Sequence, residues 1–250
     1  MFTGTGFIAF VCIFGASLAG LLLSRKLPKR YLSEPTSKTV HLAMSAVGLM
    51  AALVVGLLIA NAKTDLDSSR KAIEQFSTNL RLFDREAVHF GPEAKPVRDL
   101  LRAFTEEKIA QTWTASMAVS TDHSRSVGML NEIQRRLRAF TPQDDVGREA
   151  RASGLHMIDD LMQTSRLLAL QTSAHTPHLF LIAVIFWLSV LFFSYAVFAP
   201  PNAVVIVAFA VAAFSIAAAV NLIVDMEHPF AGYIKVSPTP MQEALIEMKR

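Results

Sequence analysis

The chain has one cysteine, Cys12, set in an apolar run, so no intrachain disulfide can brace it and packing is the role left to that thiol. Glycine-rich phosphate loops, paired HExxH histidines and a serine elbow are all missing, and no alternation of polar and apolar residues marks a strand. His89, His123 and His156 are scattered, while His175-x-x-His178 is interrupted by Pro177 and lacks a cysteine or carboxylate to complete a metal set. Glu106-Glu107 and Asp159-Asp160 are adjacent pairs, which point to different faces of a helix. These absences argue against an enzyme, a metal and a cofactor. The net charge is only +3, and lysines and arginines are nowhere interleaved with aromatics, so nucleic acid is not the expected partner.

Charge is missing over long stretches. Leu179–Val224 contains no Asp, Glu, Lys or Arg and is broken only at Pro200-Pro201-Asn202. At ~1.5 Å of rise per residue, spans at about 179–199 and 203–224 each reach roughly 30 Å, the thickness of a bilayer's hydrocarbon core. Joined by a short turn they predict an antiparallel hairpin, because lipid cannot satisfy open backbone groups. Two further uncharged runs lie near the N-terminus, at about 2–23 and 40–62. The first has no preceding basic residue, as a signal peptide would, and is read as a retained helix. Gly15/Ala19 and Ala16/Gly20 give it small pairs for close helix contact. In the second, Gly48, Ala52, Gly56 and Ala60 form a small-residue ridge suited to packing within the chain or between subunits, and His41 falls near the interface. The loop 24–39 between them carries Arg25, Lys26, Lys29, Arg30 and Lys38 against Glu34 alone, which assigns it to the cytoplasm. Both termini and the segment 63–177 then fall on the non-cytoplasmic side of a multi-pass protein of the cell (inner) membrane.

The segment 63–177 holds sixteen basic and sixteen acidic side chains and reads as a helical bundle. Ile73, Phe76, Leu80, Phe83, Ala87 and Phe90 step by threes and fours, a heptad seam for a partner subunit or a neighbouring helix of the same chain. With no Gly or Pro before it, one helix is expected from about Val40 to Phe90, ended by Gly91-Pro92. Val97, Leu100, Leu101 and Phe104 give the next face, running toward Trp113. The polar stretch 120–126 breaks the pattern, Met129, Ile133, Leu137 and Phe140 resume it, and a last helix from about Val146 carries Leu155, Ile158, Met162 and Leu168. The fold class is therefore an all-α integral membrane protein, four transmembrane helices with an extramembrane bundle inserted between the second and third.

In the fourth span Ala210, Ala213, Ala217 and Asn221 share a face, either a packing seam or a pore lining. Asp225 is expected just past that helix, accepting hydrogen bonds from the turn that follows or from a basic residue. That turn, in the segment 225–250, reads Asp225, Pro229-Phe230-Ala231-Gly232 and Val236-Ser237-Pro238, ahead of a short final helix Met241–Met248. With Phe193-Ser194-Tyr195 in the third span and the overall layout, it resembles the bestrophin-like proteins of bacteria that carry a domain of unknown function. His228 stands where that family often has arginine, so a salt bridge to Asp225 would need a protonated imidazole. The resemblance implies a homo-oligomeric anion channel with four membrane helices and an aqueous helical domain. It also implies a cytoplasmic bundle and termini, opposite to the placement the local charge predicts. Lipid and further copies of the chain are the partners so implied. The competing reading is a non-conducting scaffold or accessory subunit whose bundle binds another protein through the Ile73–Phe90 seam. A transporter finds no intramembrane acid or base for ion coupling.

Overall fold

A computed structural model describes residues 4–28, 33–114, 123–142, 144–173, 178–230 and 232–249. Among them every regular element is helical: α1 (Gly4–Lys26), α2 (Glu34–Glu86), α3 (Ala94–Ile109), α4 (His123–Ala139), α5 (Asp145–Ser173), α6 (His178–Phe198), α7 (Ala203–Met226) and α8 (Thr239–Met248). Four are long and apolar enough to cross a membrane: α1, α6, α7 and the first part of α2. The chain divides into two compact units, Met1–Asp65 with His175–Glu227, and Leu66–Ala174 with His228–Arg250.

In the first unit α1 packs on both α6 and α7. Ile13, Leu191, Phe192 and Ala213 form its core, flanked by Phe10, Phe14, Tyr195 and Phe209. Small residues set how close the helices come. A Cβ on Gly20 would sit 2.5 Å from the Phe193 carbonyl oxygen and 2.9 Å from Ala196 Cβ, so the backbones of α1 and α6 approach closely at this level. Gly15, on the other face, has open space around it. Hydroxyls bond to their own helices, Ser17 to the Phe14 carbonyl and Ser189 to the Ile185 carbonyl, both at 2.7 Å, which suits an apolar setting. The α6–α7 turn is capped by Asn202, whose side chain accepts from the Val205 N–H at 2.9 Å.

The second unit is organised on the rest of α2. The expected seam is buried along its whole length, from Ile73 to Phe90. Phe76 meets Phe104 of α3 edge-on at 6.1 Å and Phe83 meets Phe90 at 5.8 Å. The seam is therefore filled by its own chain. Asp84, nearly enclosed, accepts two hydrogen bonds from Arg98, from Nε at 2.8 Å and Nη2 at 2.9 Å, pinning α2 to α3 across the intervening turns. On α5, Asp144 caps the helix by accepting from the Gly147 N–H, and Arg151 donates to the free carbonyls of Leu137 and Arg138 at the end of α4.

Several boundaries differ from expectation. α2 begins at Glu34 rather than Val40, because Pro35 is well suited to a first helical turn, and it gives way at Glu86 to two short 3₁₀ turns, Ala87–His89 and Gly91–Glu93, with Gly91 at a φ of +54°. Ser126 lies inside the first turns of α4, not in a polar break. α7 continues to Met226, so Asp225 belongs to its last turn. Nothing before Pro229 can interrupt the backbone ladder, and hydropathy falls two residues before the hydrogen bonds do. His175, Pro177, Ala231, Lys29 and Arg30 lie outside the described residues, as does the side chain of His178.

The signature turn as candidate functional site

The turn after α7 is a closed loop with a fixed neck. The Val236 N–H donates to the Pro229 carbonyl at 2.7 Å, drawing its two ends together. Gly232 supplies the reversal with a φ of +95°, a conformation that a side chain would strain. Phe230 and Val236 turn inward and are buried. Ser237 and Thr239 share a 2.7 Å hydrogen bond, and the Thr239 N–H donates to the Ser237 hydroxyl. The Pro238 carbonyl accepts from the Met241 and Gln242 N–H groups, launching α8. Pro229, Phe230, Gly232, Val236, Ser237 and Pro238 are thus brought into one structure, each with a distinct geometric task. Asp225 is buried in the last turn of α7.

Sequence reasoning missed what holds this loop. Trp113, inside a single π turn at Ala110–Thr114, donates from Nε1 to the Val236 carbonyl at 2.8 Å and meets Phe230 at 5.7 Å with rings perpendicular, 87°. A π turn widens the helix and re-aims its side chains. The available signal was the residue type, since a tryptophan in a packed interior needs a partner for its indole N–H. α8 is tied down beside it. Arg81 reaches Glu243 at 3.5 Å, Glu247 at 3.4 Å and the Pro240 carbonyl at 3.4 Å, and Lys249 pairs with Glu106 at 2.7 Å.

The other sequence candidates separate. Ala213 and Ala217 are completely enclosed within the first unit, with Ala210 and Asn221 half-buried. On α2, Gly48 faces Leu191, where an added Cβ would come within 2.8 Å of Cδ1, whereas Ala52, Gly56 and Ala60 are exposed and Gly56 has nothing within 4 Å. His41 stacks on Tyr195 at 5.0 Å, 12° from parallel, and Ser45 lies 3.4 Å from the Tyr195 hydroxyl, so the third-span triplet meets the start of α2. Among the described residues no group of three His, Cys, Asp or Glu could hold a metal ion.

One buried charge stands apart. Lys108 continues the apolar face of Val97, Leu101 and Phe104, is only 6% exposed, and burial pushes its ammonium below the ordinary lysine pKa of 10.5. The lowered value means that burial disfavours the charged form. That cost is complete below the folded pKa and falls away as pH climbs from there toward 10.5. Lys108→Met is therefore expected to stabilise the protein at neutral pH by about 1 kcal/mol, or ~2–4 °C in melting temperature. Thermal scans of the detergent-solubilised protein from neutral to alkaline pH check this. The gain should shrink as pH rises, and a constant or negative difference would contradict it.

The comparisons with known proteins agree with this architecture. The Bestrophin-like domain profile matches residues 11–241. A crystal structure of a point variant of a bacterial bestrophin homologue from Klebsiella pneumoniae superposes with a TM-score of 0.71 at 9% identity, covering 97% of this chain and 98% of that one. A second crystal structure of a homologue from that organism gives 0.68 at 10% identity and 97% coverage of each chain. Another, described only as a membrane protein, gives 0.71 at 10% identity, covering 97% and 98%. No curated protein matches the sequence. At these identities the structures speak for the fold, an all-helical bestrophin-like one. With nearly the whole chain inside the domain match, the protein belongs to the Bestrophin-like family.

Proposed function

We propose that this protein is a subunit of a homo-oligomeric membrane channel, crossing the bilayer four times and passing anions. The observation that carries the reading is the unequal cover of its two small-residue stripes. The fourth-span stripe is filled by α1 within one protomer, while the Ala52-Gly56-Ala60 ridge of α2 is left open among the exposed Leu49, Leu53 and Leu57. A ridge of that kind lets helices of neighbouring copies approach closely, which is how a central axis would be built around α2. Family membership supports the same reading by analogy of fold. No Lys or Arg lies within 40–62 or 179–224, so backbone and helix-dipole groups would have to hold the permeant ion. The scaffold reading loses its motive, since the seam meant for a partner is buried against the chain's own helices.

Planar-bilayer recording of the purified oligomer tests the proposal. Unitary currents that reverse near the chloride equilibrium potential in a salt gradient are expected. Reversal near the cation potential would replace anions by cations, and silence from a verified oligomer would remove the channel. Sidedness is tested separately with membrane-impermeant thiol reagents on cysteines near Lys63 and Met241. The basic loop 24–39 argues that both are reached from the non-cytoplasmic side.

A further inference from the structure

Within the first unit, the end where α1 stops carries positive charge that the chain itself does not answer. Arg25 and Lys26 fill the last turn of α1, and both are exposed. The segment 24–39 holds a single acid, Glu34, and that carboxylate is taken by Lys38 of the same helix turn at 2.7 Å. Among the described residues neither Arg25 nor Lys26 pairs with a carboxylate. The depth of this turn is set by its neighbours. Gly20 lies against Phe193 and Ala196 of α6, and only seven residues, 27–33, separate the end of α1 from the start of α2. The start of α2 in turn meets the end of α6, where His41 stacks on Tyr195 and tilts against Phe198 at 6.0 Å. A partly exposed aromatic cluster with polar ring atoms suits the boundary between hydrocarbon and headgroups. Arg25 lies five residues past Gly20, about 7.5 Å of helical rise, which carries it to that boundary. Directly before it Leu22 and Leu23 are exposed, by 60% and 39%.

We infer that the end of α1, through Arg25 and Lys26, is a binding surface that selects anionic phospholipid over zwitterionic phospholipid. It rests on the membrane-spanning reading above. An apolar flank capped by two cations fits a phospholipid, with acyl chain along Leu22 and Leu23 and phosphate at the guanidinium and ammonium. A free phosphate ion or an acidic peptide would leave the leucines uncovered. Phosphatidylcholine also has a phosphate, but its quaternary ammonium cancels the attraction. Phosphatidylglycerol has no such charge, and each cation near it favours it roughly fivefold.

The test uses the full chain reconstituted in phosphatidylcholine bilayers with a trace of spin-labelled phosphatidylglycerol or spin-labelled phosphatidylcholine. Electron paramagnetic resonance separates lipid whose motion is restricted at the protein surface from fluid lipid. Averaged over all lipid positions around the protein, phosphatidylglycerol is expected to be preferred at least about twofold over phosphatidylcholine at low salt. Arg25→Gln with Lys26→Gln should lose most of that preference, while the exchange Arg25→Lys with Lys26→Arg should keep it. The amount of restricted phosphatidylcholine should be the same in all three proteins, which shows that their spans are intact. Salt at about 1 M, where the screening length is ~3 Å, should also weaken the preference in the parent. Equal restriction of the two lipids in the parent would overturn the inference, as would a preference that survives the double glutamine variant. If neither lipid showed a restricted population, the spanning reading itself would fall, so the two failures are distinguishable.

Discussion

Trp113→Ala is expected to lower the melting temperature of the detergent-solubilised protein by roughly 10 °C, corresponding to a loss of about 3 kcal/mol in a chain of this size. The substitution removes a large ring from beside Phe230 and leaves the Val236 carbonyl without its 2.8 Å donor. Trp113→Phe separates the two losses. It keeps an aromatic ring against Phe230 and removes only the hydrogen bond, for about 1–3 kcal/mol. Circular-dichroism melts of the three proteins provide the measurement. An alanine variant as stable as the parent would mean that the loop is held by its own backbone hydrogen bond and Gly232 alone, and that the π turn has no part in it.

Asp84→Ala should be comparably costly, by about 3 kcal/mol, because it strands the Arg98 guanidinium in a largely enclosed position. The side chains retain 12% and 27% exposure, so some solvent reaches the pair and the loss should not exceed that figure. Replacing both partners, Asp84→Leu with Arg98→Met, should recover most of the stability, since no lone charge remains. Chemical denaturation of the single and double variants completes the cycle. Additive effects would show that the two bidentate hydrogen bonds contribute nothing as a pair.

Periodicity made much of this fold readable. The Ile73–Phe90 seam declared itself by its threes and fours, and its residues are buried as that spacing requires. What covers it was not readable, because Phe104 reaches Phe76 only after the chain reverses at Gly91. Helix ends went astray for one physical reason. A helix stops where its backbone ladder is interrupted, whereas charge marks where apolar composition ends, and around Asp225 the two are separated. Lys108 continues the spacing of Val97, Leu101 and Phe104, yet its residue type gives no sign of the burial the structure shows. Trp113 offered only its residue type as a signal, since its partner lies in a turn far along the chain.

The packing of α1 on α6 and α7 carries a consequence for synthesis. The first helix meets its neighbours only after everything between Lys26 and His178 has been translated. At about 5–20 residues per second that interval is on the order of ten seconds. During it the groove around Gly20 stands empty, open to any other helix that offers a close fit. The same narrowness that makes the contact with Phe193 tight is then a filter, admitting the correct late arrival and rejecting bulkier strangers.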